Sequence, residues 1–211
     1  ILRTTIAMGL HDRPVQDTYY ATKFAAHEPI ALQTAREAIV LLKNENAVLP
    51  LRRGAAKKIL LTGLFVERIP RGLGSAEVDG YNHVTLLDAL RAIYGDALQH
   101  VAQPADADLK SADAVFLSTG TEDSEGWDRP FALPAAEEQR IARIVALNPR
   151  TVVLVNTGGG IEMTAWADRA AAIVYAWYPG QNGNRALAEI LCGDTDPSGK
   201  LPITSEKRFE D

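Results

Sequence analysis

The sequence predicts an α/β fold, a three-layer α/β/α sandwich around a mostly parallel, doubly wound sheet of about six strands. Three observations lead there. Beyond Pro50, short apolar runs without polar alternation keep recurring, which is how strands buried on both faces read. Each run ends near a Gly or Asn, and amphipathic stretches of helical period lie between or after the runs; strand and helix in alternation specify a parallel sheet covered on both sides. Finally, 211 residues at 46% hydrophobic can bury one full core plus an attached segment but fall short of two independent domains.

In chain order, residues 1–10 carry a short helical stretch, His11-Asp12-Arg13-Pro14 a turn, and the following polar and aromatic residues a connector. From Glu28 the chain is helix-forming through Leu32, Ala35, Arg36 and Ile39. It then enters Val40-Leu41-Leu42, which either prolongs the helix or opens a strand, and periodicity does not choose between them. Strands are expected at 58–64, 97–101, 114–119, 151–156 and 172–176, and covering helices at 85–94, 134–146 and 183–192. There is no internal repeat and no low-complexity segment.

Composition narrows the function classes. A net charge of −5 with Lys and Arg scattered leaves no cationic stripe for nucleic acid or anionic lipid. A single cysteine, Cys192, excludes an intrachain disulfide, a zinc knuckle and a redox pair. It is as compatible with a periplasmic or secreted location as with a cytoplasmic one, and it reads as a small core residue. No apolar run reaches the roughly 18 residues that cross a bilayer. His11, His27, His83 and His100 share no ligand spacing, and none stands near a Ser or Cys in a nucleophile-like turn. Metal centres, cofactors and serine or cysteine catalysis therefore have no support in the sequence. Ile1-Leu2-Arg3-Thr4 lacks an initiator Met and a signal-peptide core, and both ends read as cuts inside a longer polypeptide.

A doubly wound sheet places its chemistry in the loops at the carboxyl ends of the strands, here 65–83, 120–133, 157–165 and 177–182. The loop Gly120-Thr121-Glu122-Asp123-Ser124-Glu125-Gly126-Trp127-Asp128-Arg129-Pro130 gathers carboxylates, an indole and a guanidinium, a set suited to sugar hydroxyls and sugar CH faces. A solvated acidic loop is the plainer reading of the same composition, and the spacing does not fit a calcium loop. Gly72-Leu73-Gly74-Ser75-Ala76 lacks the third glycine of a dinucleotide fingerprint and reads instead as a tight loop near a partner or ligand. Thr157-Gly158-Gly159-Gly160 either exposes N–H groups to an anion or is a turn.

Several stretches resemble, in order, the second domain of glycoside hydrolase family three. They are Ala35-Arg36-Glu37-Ala38-Ile39-Val40-Leu41-Leu42-Lys43-Asn44-Glu45 with Leu49-Pro50-Leu51; Gly72 to Ala76; Ser124-Glu125-Gly126-Trp127-Asp128-Arg129; Leu133-Pro134 with Gln139; Ala176-Trp177-Tyr178-Pro179-Gly180-Gln181; and Gly193-Asp194 with Asp196-Pro197-Ser198-Gly199-Lys200-Leu201-Pro202. The resemblance implies that 1–26 is the end of a preceding barrel and its linker, 27–204 the α/β-sandwich domain, and 205–211 the start of a following segment. It implies a β-glucosidase-like enzyme that hydrolyses terminal β-D-glucosyl or related β-glycosides, such as xylosides, with retention. A barrel Asp, outside this chain, would be the nucleophile, and Glu125 the acid/base, with Glu122 as fallback.

Ser75, Trp127, Asp128 and Arg129 are the residues so implied to line the substrate. Trp127 is expected to give Glu125 an apolar wall, and Arg129 to pair with Asp128 or a barrel carboxylate. The implied partners are a β-glucoside or oligosaccharide and the N-terminal barrel, with oligomeric state left open. Two rival readings stand beside this one: a sugar- or phosphate-binding module using 158–160, and a structural fragment whose sheet supports a partner.

Overall fold

The computed structural model describes residues 1–211 apart from 15, 17, 79 and 211, so parts of the expected connector, of the first long loop and of the tail lie outside the described residues. Among the described residues one six-stranded sheet forms the centre, in the spatial order β1-β6-β5-β4-β2-β3. Its strands are β1 (Val40–Asn44), β2 (Ile59–Gly63), β3 (Leu98–His100), β4 (Ala114–Gly120), β5 (Thr151–Asn156) and β6 (Ala172–Tyr175). β3, β2, β4, β5 and β6 are mutually parallel, and β1 runs antiparallel on β6.

Both faces of the sheet are covered because successive strand residues point to opposite sides. Ile59, Leu61, Phe116, Leu154 and Val174 pack in one core with helices α2 (Phe24–Ala38), α3 (Leu86–Tyr94) and α6 (Gly183–Cys192). Leu60, Val115, Leu117, Val153 and Tyr175 pack in the other with α4 (Asp106–Ser111) and α5 (Ala135–Leu147). Every residue of β4 and β5 is buried, which accounts for their unalternated apolar sequence. Cys192 lies buried in the first core. A sixth helix, α1 (Leu2–Ala7), stands at the amino end of the chain.

Local chemistry sets the helix ends. Thr85 is a cap, not the first helical residue: its Oγ1 accepts the Asp88 N–H at 3.1 Å and its hydroxyl donates to the Asp88 carboxylate at 2.7 Å. α2 begins at Phe24 and stops before Ile39, so Val40-Leu41-Leu42 is strand and not helix. The carbonyls at that end have tertiary partners, since Trp177 Nε1 donates to Ala38 O at 2.9 Å and the Gly199 N–H to Ile39 O at 3.0 Å. The released segment pairs with β6, whose free edge would otherwise expose its backbone groups. α4, six residues long, is too short to declare itself by periodicity and is absent from the helices the sequence predicts.

Phe116 is fully buried at the middle of β4 and meets Tyr94 at a ring separation of 5.9 Å. Phe116→Ala should cost about 3–5 kcal/mol, whereas Trp127→Ala, at an 80% exposed residue, should stay within about 0.5 kcal/mol. Urea denaturation of the two variants checks both values.

Candidate active site

The strand order reverses direction at β2: the chain moves outward from β2 to β3, then crosses back to β4 and continues through β5 and β6. The carboxyl ends of β2 and β4 therefore flank a topological switch point, where the following loops diverge and leave a crevice. Here the two loops are joined across it. The Leu73 N–H donates to Asp123 O at 2.8 Å, and Leu73 pairs with Ser124 in an isolated parallel bridge.

Asp123 is the junction of the site. Its N–H donates to Tyr178 Oη at 2.7 Å, its Oδ2 accepts the Gly158 N–H at 3.1 Å, and its Oδ1 accepts from Arg129 Nε. Arg129 continues to Gly160 O at 2.8 Å and to Thr157 Oγ1 at 3.3 Å, and the hydroxyls of Thr121 and Thr157 share a hydrogen bond of 2.7 Å. A Cβ on Gly158 would lie 2.9 Å from Asp123 Oδ2 and 3.0 Å from Tyr178 Cε2, so a larger residue there would displace one of these two side chains. Partial burial pushes the Asp123 carboxyl up, but hydrogen bonds from Arg129 and Thr121, the Arg129 charge and Tyr178 outweigh it and hold the group below the ordinary range. Tyr178 is itself raised, chiefly by burial.

Glu125 sits at the corner of a tight turn in which the Trp127 N–H closes onto Ser124 O at 3.2 Å. Its carboxylate is exposed, and Oε2 accepts a hydrogen bond from Ser75 Oγ of the facing loop. Glu122, by contrast, is ion-paired with Arg68 at 2.7 Å.

Two expectations are corrected. Arg129 pairs with Asp123 and not with Asp128, because the turn carries Trp127 and Asp128 outward while the chain returns over Asp123. Trp127 projects into solvent and forms no wall over Glu125 within this chain. The Gly158 N–H bonds to the Asp123 carboxylate and that of Gly159 is turned to Thr157 Oγ1 at 3.4 Å, so this turn satisfies an internal anion.

A cleft of about 620 Å³ opens beside this arrangement. Ile69, Pro70 and Val78 form its apolar side, while Ser124, Glu125 and Tyr178 form the edge nearest the junction.

Comparison with known proteins now decides the family. The model of the glycosyl hydrolase family 3 C-terminal domain matches residues 39–211. The chain belongs to that family. It is 34% identical, over 83% of its length, to an exo-α-(1→6)-L-arabinopyranosidase of Bifidobacterium breve, of which it spans 27%. It is 33% identical over 85% of its length to a probable β-D-xylosidase of Arabidopsis thaliana, of which it spans 26%. The solved β-glucosidase of Bifidobacterium adolescentis superposes with a TM-score of 0.77 at 32% identity, covering 88% of this chain and 30% of that one.

In this family 3 domain, three features of the site carry little mark in the sequence. Asp123 is one acid among several there, Tyr178 one residue of the closing signature, and Arg68 one cation of a long loop. The one local signal is an apolar strand running into Trp177-Tyr178-Pro179, with aromatic residues at a strand's carboxyl end.

The folded state holds Asp123 ionised, so its stabilisation is complete above the ordinary carboxyl value of 3.8 and is lost as pH falls through the lower folded value. Asp123→Asn should therefore lower stability by about 1–2 kcal/mol at neutral pH. The gap from the parent should close in acid below the ordinary value, as followed by thermal denaturation across pH.

Proposed function

We propose that this chain is the second domain of a retaining β-glycosidase acting on terminal β-D-glucosyl or related residues, with Glu125 as the acid/base. On this reading residues 1–26 complete and leave a barrel, 27–204 form the domain, and 205–211 begin the next segment. The supporting observation is the turn that presents Glu125 at the switch point, free of any ion pair among the described residues and beside a cleft large enough for a leaving group. Family membership and relatives named as β-glucosidase, β-xylosidase and arabinopyranosidase support the substrate class proposed.

The chemistry follows from two carboxylates about 5–5.5 Å apart. A barrel Asp attacks the anomeric carbon while Glu125 transfers its proton to the departing oxygen. Glu125, now ionised, takes a proton from water as that water attacks the glycosyl–enzyme, and both carboxyls return to their first states. An exposed carboxylate needs partial burial to hold its proton near neutrality; since Trp127 does not cover Glu125, the barrel face is assigned that role. Trp127 and Asp128 project where they can meet the barrel or the sugar, and Arg129 holds the loop through Asp123.

The chain alone should be inert, because its proposed partner carboxylate lies elsewhere. Incubated with an aryl β-glucoside, it should match buffer, and turnover with retained configuration would refute the split site. In the intact enzyme, Glu125→Ala should slow substrates with poor leaving groups by about 10²–10⁴-fold and activated aryl glycosides far less. Azide should restore turnover and give the β-glycosyl azide. Equal slowing of all substrates without azide rescue would pass the role to Glu122.

A further inference from the structure

We infer that Ser75, which the sequence assigned to the substrate, is instead a positioning residue for Glu125. Its hydroxyl donates to Oε2 and so leaves Oε1 as the oxygen that exchanges the proton. This rests on the acid/base role proposed for Glu125.

Three independent features fix the pair. The backbone joins the two loops immediately beforehand, through the Leu73 N–H to Asp123 O and the Leu73–Ser124 bridge. Gly74 has φ +69°, a left-handed backbone that favours glycine, and packs closely under the facing loop, where a Cβ would stand 2.8 Å from Ser124 Oγ. The next residues outward on each side are Ser75 and Glu125, and they bond. Ser75 is also on an ordered turn: the helical turn Gly74–Ala76 closes with the Glu77 N–H on Gly74 O at 3.1 Å, and Arg71 pairs with Glu77 at 2.6 Å.

A carboxyl that must give a proton in one step and take one in the next needs one oxygen directed at the reacting atoms throughout. Ser75 supplies this by occupying the other oxygen in both states, and it keeps its own proton.

The test is steady-state kinetics of the intact enzyme and its Ser75→Ala, Ser75→Thr and Glu125→Ala variants, on aryl β-glucosides of graded leaving ability. For Ser75→Ala on poor leaving groups, kcat should fall about tenfold with KM nearly unchanged. Ser75→Thr, which keeps the hydroxyl, should restore the parent kcat. A Ser75→Ala kcat equal to the parent's, or a loss confined to KM, overturns the inference and returns Ser75 to packing or substrate binding. If Glu125→Ala itself lacks leaving-group selectivity and azide rescue, the acid/base assignment fails first, a result separable from an unchanged Ser75→Ala kcat.

Discussion

One buried-edge residue, Asp123, connects the loops that follow four different strands. Its carbonyl accepts from the loop after β2, its N–H reaches Tyr178 after β6, and its carboxylate holds both Arg129 of its own loop and Gly158 after β5. A half-buried carboxylate is costly unless its oxygens are satisfied and its charge is matched. Here both conditions hold, and the result is a site edge fixed by one short stretch of backbone. Without that junction the acidic loop would be what its composition suggests, a solvated excursion.

The sheet explains why the junction lies where it does. Parallel strands buried on both faces require helices on both sides, and the crossovers needed to cover both sides reverse direction between β2 and β4. The loops at that reversal leave in opposite directions and open a crevice, which Leu73, Ser124 and the Ser75–Glu125 contact then bridge. Rigid strands thus carry a small, well-tied turn whose Glu125 carboxylate remains exposed. On the proposed division of labour, exposure of Glu125 and Trp127 in this domain is the counterpart of a barrel surface that meets them.

Much of this was legible in the sequence because burial on both faces of a parallel sheet leaves a local mark. β4 and β5 declare themselves by unbroken apolar runs, α6 by its period, and the placement of Ser75 and Glu125 in carboxyl-end loops follows from the alternation alone. What the tertiary structure decided were choices between local states of similar energy. Val40–Asn44 became strand because Trp177 and Gly199 took the carbonyls that would have continued a helix, while β6 offered an edge. Arg129 found Asp123 and not its neighbour Asp128 because a turn, invisible to composition, sends adjacent side chains in opposite directions. Hydrophobic patterning records which faces are buried, since that constraint acts at every residue of an element; the pairing of charged and hydroxyl groups depends on where distant loops meet, and only the assembled fold sets that distance.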